Sequence, residues 1–241
     1  MNQSFYTAAL GAQQQMLRLN VQGNNIANVN TYGYKGEKPA FQRLMYGMIR
    51  GEQAQIPRGT GAKISGTVTD LSDGIMMETG RKQDYAISGD GYFALYEPAT
   101  GEISYTRDGS FTLSMYQEPD EEGVLQKVYY LSDGEGRQVL DTMGYPIVVT
   151  DPSARQPVGT FVFIYEDGLR HADGGRFTAE GKSQEVWVGN AKVVQGFLEG
   201  SNVDLATEIS KVIEAQRSYS YALRMVQTSD ELETTVNNLK N

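Results

Sequence analysis

The sequence predicts an α+β protein, with a long helix at each end and a central all-β domain of antiparallel strands. Three observations predict it. Residues 4–28 and 204–239 contain no proline and carry apolar residues at heptad spacing. Between them, from about residue 57 to 196, short alternating runs are broken at close intervals by Gly, Asp and Pro. Glycine (27 of 241 residues) far outnumbers proline (7), and with 15 tyrosines this composition suits a turn-rich sheet.

In the first helix, Phe5, Ala9, Ala12, Met16, Leu19, Gly23 and Ile26 step alternately by four and three. The other face carries Gln13, Gln14, Arg18, Gln22 and Asn25. Asn28, Asn30 and Gly33 then supply stop signals, because Asn and Gly tolerate left-handed backbone. In the last helix the apolar positions are Leu205, Ile209, Val212, Tyr219, Leu223 and Val226, resuming at Leu232, Val236 and Leu239 with the register shifted by one. Asn202 or Asp204 is its expected N-cap, and Glu208 lies near the positive end of its dipole. About 35 residues of helix reach roughly 50 Å.

Strands are expected at Asp84–Ser88, Tyr92–Tyr96, Pro146–Val149, Thr160–Tyr165 and Glu185–Val188. The pairs Asp90-Gly91, Asp108-Gly109, Asp133-Gly134 and Asp167-Gly168 mark turns between strands. Residues 108–112 and 173–178 echo each other weakly as turn–strand units. Gly47, Gly51, Pro57, Gly59 and Gly61 read as an extended connection. The expected organisation is a terminal helical assembly module (1–45 and 198–241), an extended connection (46–66) and a β-rich outer domain (67–197).

A net charge of −9 argues against nucleic acid and anionic membrane surfaces as partners. There is no cysteine, which excludes disulfide and thiolate chemistry. No apolar run approaches the roughly 18–20 residues that span a bilayer. The opening Met1-Asn2-Gln3-Ser4 leads into neither a basic region nor a long apolar block, so no cleaved signal peptide is expected.

Chemistry finds few candidates. The single histidine, His171 beside Asp173, reads as a solvated turn residue, with no second His or Cys to complete a metal site or a nucleophile–base pair. The acidic run Glu118, Asp120, Glu121 and Glu122 lacks the spacing of a calcium loop and reads as a hairpin tip. Gly59-Thr60-Gly61 and Gly89-Asp90-Gly91 open no helix, so they read as tight turns rather than phosphate loops. Trp187, inside Val-Trp-Val, belongs to a core or an interface. No catalytic residue, cofactor, metal or small-molecule substrate is expected.

The helices themselves are the candidate functional surface. A single two-helix seam with Ala9, Ala12 and Gly23 in it buries little, so the helices gain from stacking against neighbours. The expected assembly interface is Phe5, Ala9, Ala12, Met16, Leu19, Ile26 and Asn28 from the first helix. From the last it is Leu205, Ile209, Val212, Tyr219, Leu223, Val226, Leu232, Val236 and Leu239. An ordinary helical hairpin within one domain is the competing reading of the same seams.

The run Asn24-Asn25-Ile26-Ala27-Asn28-Val29-Asn30-Thr31-Tyr32-Gly33-Tyr34-Lys35 resembles the signature of flagellar rod, hook and hook-associated proteins. Its motif residues are Asn24, Asn25, Ala27, Asn30, Gly33 and Lys35; asparagine side chains would cap the last carbonyls and Lys35 would sit near the negative helix end. Residues 84–93, 105–111, 144–147 and 195–204 resemble further motifs of the same family, in the same order. The resemblance implies paired, coiled-coil-like terminal helices, a β-rich outer domain and a non-enzymatic role in the hollow axial structure of the flagellar basal body. It implies as partners other copies of the chain, other rod or hook subunits, the flagellar export apparatus and surrounding rings. The short middle favours a rod subunit, proximal or distal, over a hook subunit. A cell-surface or phage-tail binding module is the alternative from another class.

Overall fold

The computed structural model describes residues 3–43, 47–50, 55–58, 62–119, 125–164, 169–172, 174–179 and 186–239. They form two units: Met1–Val29 with Gly36–Leu71 and Val203–Asn241, and Asn30–Lys35 with Ser72–Asn202.

The first unit is built on α1 (Gln3–Ala27) and α2 (Leu205–Asn238). Asp204 is the N-cap of α2; its carboxylate accepts from Ala206 N at 3.3 Å and Thr207 N at 3.2 Å, satisfying two of the free amides of the first turn. The two helices pack together. Arg18 donates to Glu214 at 3.1 Å and Asn25 to Glu208 at 3.4 Å, so position falls along one helix as it rises along the other and the pair is antiparallel. On its other side α1 meets β1 (Glu37–Arg43) and β4 (Ala62–Thr69), which pair antiparallel from Glu37–Thr69 to Arg43–Ala62 with a bulge at Ala40/Phe41. Between them, β2 (Gly47–Arg50) and β3 (Gln55–Arg58) form a second antiparallel pair. The segment expected as an extended connection therefore contains paired strands. Residues 44–46, 51–54 and 59–61, including Gly59-Thr60-Gly61, lie outside the described residues.

The second unit contains a seven-stranded antiparallel sheet. Its strands in spatial order are β13 (Leu169–Ala172), β14 (Arg176–Ala179), β8 (Ile103–Thr106), β7 (Phe93–Tyr96), β11 (Gln138–Val139), β10 (Leu125–Ser132) and β9 (Thr112–Pro119). Three further pairs complete it: β12 (Phe161–Phe163) with β15 (Val186–Val188), β16 (Lys192–Gln195) with β6 (Tyr85–Ser88), and β17 (Phe197–Glu199) with β5 (Met76–Glu78). The core gathers Tyr85, Ile87, Phe93, Leu95, Phe111, Leu131, Val139 and Val193, with Phe93 edge-on to Phe111 at 5.2 Å.

Two expectations change here, and two further readings find their place. Residues 146–149 make single bridges, Leu140–Pro146 and Tyr130–Val148, rather than a strand, although Ile147 and Val149 are buried in the core. His171 lies on β13 rather than in a loop, its ring 4.5 Å from that of its cross-strand partner Phe177. Trp187, expected in a core or an interface, is 68% exposed, which leaves the second of those readings. The echoing segments at 108–112 and 173–178 each lead into a strand, β9 and β14, at separate places in the sheet. Asp173, Asp167-Gly168 and most of the acidic run fall outside the described residues.

Candidate assembly site

The face of α2 toward α1 mixes small, polar and apolar residues. On α2 the buried or half-buried positions that face α1 are Glu208, Val212, Ala215, Tyr219, Ala222, Val226 and Ser229, a heptad series in its own right. Many large apolar side chains stay outside: Leu205, Ile209, Ile213, Leu223, Met225, Leu232, Val236 and Leu239 are all exposed. From Asp230 to Leu239 every residue is exposed. On α1, Ala12 is buried; Phe5, Ala9, Leu19, Ile26 and Asn28 are half-buried; Met16 is exposed, as are Tyr6 and Leu17 outside the expected seam.

The polar face expected to look outward on α1 does so only in part: Gln13 is exposed and Arg18 half-buried. Gln14, Gln22 and Asn25 are buried, because the helix has a second covered side. Gln14 Oε1 accepts from Ile64 N on β4 at 2.6 Å. Asn25 behaves as a strand residue: its Oδ1 accepts from Glu37 N at 2.9 Å and its Nδ2 donates to Glu37 O at 2.8 Å. The same Nδ2 lies 3.4 Å from Glu208, whose other oxygen accepts from Lys211 at 2.6 Å, so the buried carboxylate is matched on both sides.

Beyond α1 the motif closes as expected at one point and differs at another. Asn28 Nδ2 donates to the carbonyl of Asn24 at 2.9 Å, so an asparagine does cap the helix end. Ala27 ends the helix, and Asn24 and Asn30 are exposed. Gly33 adopts φ +66°, and a Cβ there would fall 2.2 Å from Asp108 N, so only glycine fits. Lys35, expected at the negative end of the helix, is instead buried within the second unit. Its ammonium donates to Glu199 Oε1 and to Ser72 O, each at 2.7 Å. Glu199 Oε1 also accepts from Gly74 N at 2.8 Å, and Oε2 from Arg107 Nη1 at 3.1 Å. The Arg107 guanidinium lies 5.4 Å from the Tyr92 ring centre. Side-chain exposures of 1% for Lys35, 2% for Glu199 and 3% for Arg107 make this a desolvated ion cluster. Gly33 N donates to Glu199 O at 2.7 Å, so backbone and side chains dock the motif at one place.

Asp108 sits beside this cluster. Burial raises its pKa, opposed by hydrogen bonds from Ser110 and reinforced by Asp133 and Asp84. The pKa of the N-cap Asp204 is lowered, chiefly by its bonds from Thr207. Sequence reasoning placed Lys35, Arg107 and Glu199 in three separate motifs and did not join them; a basic residue, a basic residue and an acid in three glycine-rich motifs were the available signal. Among the described residues no cluster of His, Cys, Asp or Glu is arranged to hold a metal ion.

Three family models match the chain. Residues 5–35 match the "Flagella basal body rod protein" model and residues 194–239 the "Flagellar basal body rod FlgEFG protein C-terminal" model. Residues 86–150 match the "Flagellar hook protein FlgE/F/G D1 domain" model. Lys35, Arg107 and Glu199 thus come one from each matched segment. The flagellar basal-body rod protein FlgG of Bacillus subtilis is 32% identical, with all of both chains covered. That of Borreliella burgdorferi is 30% identical over 100% of this chain and 99% of its own. The rod protein FlgF of Caulobacter vibrioides is 33% identical over 92% of this chain and 91% of its own. With relatives of this kind spanning it from end to end, the chain belongs to the flagellar basal-body rod protein family, whose members are structural subunits of the flagellar basal body.

Proposed function

We propose that this rod subunit polymerises through α1 and α2 into the hollow axial structure, with no catalytic role. The observation that carries the reading is the inverted distribution of side chains on α2. A helix that serves only its own fold buries its largest apolar residues. Here Ala215, Glu208 and Ser229 are buried, while Ile209, Leu232 and Leu239 are left outside. The α1–α2 contact acts as a coiled-coil seam that presents these residues, and copies of the chain or related rod and hook subunits cover them. Among the expected interface residues, Met16, Leu205, Ile209, Leu223, Leu232, Val236 and Leu239 make the contacts between subunits. Phe5, Ala9, Ala12, Leu19, Ile26, Asn28, Val212, Tyr219 and Val226 support them from within the pair. The motif residues Asn24, Asn25, Ala27, Asn30, Gly33 and Lys35 fix where α1 ends and the next segment docks. Delivery runs through the flagellar export apparatus, and surrounding rings are further neighbours.

Sedimentation velocity over a concentration series tests this. The full chain is expected to form concentration-dependent large species, and a chain lacking residues 205–241 to remain monomeric. Assembly of the shortened chain at the concentrations that suffice for the full one refutes the proposal.

A further inference from the structure

The last segment of the second unit holds its first segment in place. Residues 192–202 lend no strand to the seven-stranded sheet. Instead β16 pairs with β6 from Lys192–Ser88 to Gln195–Tyr85, and β17 with β5 from Phe197–Glu78 to Glu199–Met76. Among the described residues neither β5 nor β6 pairs with any other strand. Between the two ladders Gly196 O accepts from Thr79 N at 2.8 Å and from Gly80 N at 3.1 Å. The segment also reaches residues 30–35: Gly33 N donates to Glu199 O at 2.7 Å and Asn202 N to Tyr34 O at 3.4 Å. Since α1 ends at Ala27 and α2 begins at Leu205, these bonds hold the chain leaving one helix beside the chain entering the other.

What this segment buries is largely charge. Val193 and Leu198 are its only fully buried apolar side chains, and of the core cluster it supplies Val193 alone. Lifting it away exposes little apolar surface and returns Glu199, Lys35 and Arg107 to water, which recovers the cost of desolvating them. The seven-stranded sheet keeps every one of its own ladders. Segments with few buried apolar contacts lie at the low-stability end of a fold and open before the rest.

We propose that residues 192–202 are a strap that opens and closes as one piece over an intact sheet, and that its closure readies the chain for assembly by joining the stems of α1 and α2. The inference rests on polymerisation through those helices and adds the step that permits it. The α1–α2 seam, with Glu208, Ala215 and Ser229 buried in it, gains little from apolar burial. With the strap open, the helices are connected only by the chain from 28 to 204. With it closed, they are connected through the few residues on either side of the Gly33–Glu199 bond. The shorter loop costs less entropy to close, so the seam forms more readily.

Native-state hydrogen exchange on the full chain, followed at low denaturant concentrations, reads the opening. The amides of Gly33, Thr79, Gly80, Gly196 and Gly200 are expected to share one protection factor, roughly tenfold or more below that of the β7 and β8 amides. A second form carries Ser88→Cys with Lys192→Cys, exposed cross-strand partners at a spacing a disulfide can bridge. The chain has no other cysteine. Oxidation is expected to raise the strap amides to the protection of the sheet, and reduction to restore the difference. Strap amides that exchange independently of one another, or only together with the sheet in the unlocked chain, overturn the strap. Glu199→Gln is expected to lower strap protection by roughly a hundredfold or more, as loss of one member of a buried ion cluster does. It is also expected to raise the concentration at which large species sediment, and the disulfide to restore the wild-type threshold. If Glu199→Gln does not fold, Lys35→Met carries the comparison, because Glu199 then keeps Arg107. A variant that loses strap protection yet assembles at the wild-type concentration, or whose defect the disulfide leaves uncorrected, overturns the link from closure to assembly. If the wild-type chain opens its strap as described but forms no large species at any concentration, the polymerisation reading fails and the strap itself stands.

Discussion

The buried ion cluster makes the sharpest stability prediction. Among the described residues Glu199 is the only acid at its centre: it holds Lys35 through Oε1 and Arg107 through Oε2, with side chains 1–3% exposed. Asp73, the other acid near Arg107, is 3.7 Å away and largely exposed, so it compensates little. Glu199→Gln preserves shape but leaves two cations facing each other out of water. Removing one member of a buried pair costs about 3–5 kcal/mol. At roughly 3 °C per kcal/mol for a unit of this size, the melting temperature should fall by about 10 °C or more. Lys35→Met removes the opposite charge but leaves Glu199 with Arg107 and Gly74 N. Its cost is that of lost bonds to a charged group, about 2 kcal/mol. The double variant should be no less stable than Glu199→Gln alone, because the second change removes the stranded ammonium. Thermal unfolding followed by tyrosine near-ultraviolet circular dichroism reads all three. The argument fails if Glu199→Gln melts within 2 °C of wild type. It fails equally if the two single losses simply add in the double variant.

Three further outcomes follow from neighbouring geometry. Burial holds the folded-state pKa of Asp108 above its unfolded value. An acid shifted upward stabilises the fold below its unfolded pKa, near 4, and loses that contribution as pH rises through the folded value. Asp108→Asn, whose Oδ1 still accepts from Ser110 N, should therefore raise the melting temperature at pH 7 and give no gain near pH 3.5. Gly33→Ala should destabilise well beyond the roughly 1–2 kcal/mol of left-handed backbone, because its Cβ meets Asp108 N at 2.2 Å. Gly101→Ala, with φ +75° and open space around it, should show the backbone cost alone in the same melt. Asn25→Ala removes the paired bonds to Glu37 and strips Glu208 of a donor. A loss of about 2–3 kcal/mol is expected, read as faster amide exchange in β1 and the first turns of α2.

The elements most legible in the sequence were those set by local rules. Freedom from Pro and the heptad steps mark both helices, Asp204 caps α2, and Asp133-Gly134 marks the turn between β10 and β11. What the sequence left open is which partner a residue meets. Lys35, Arg107 and Glu199 stand in three distant segments, and nothing local in any of them says that one carboxylate will neutralise two cations. Gln14 and Asn25 look like solvent-facing polar residues until β1 and β4 arrive to use them as backbone partners. The seam of α2 shows the limit most clearly. Residues 205, 209, 212 and 219 satisfy a heptad, but so do 208, 212, 215 and 219, and periodicity cannot rank the two. Area alone would bury Leu205 and Ile209 rather than Glu208 and Ala215. The antiparallel pairings Arg18–Glu214 and Asn25–Glu208 select the other face: turning Leu205 and Ile209 toward α1 would break both and leave Asn25 facing apolar side chains. A few specific polar contacts therefore decide the internal seam, and the richer apolar periodicity that they displace remains on the surface, where the proposed contacts between subunits would cover it.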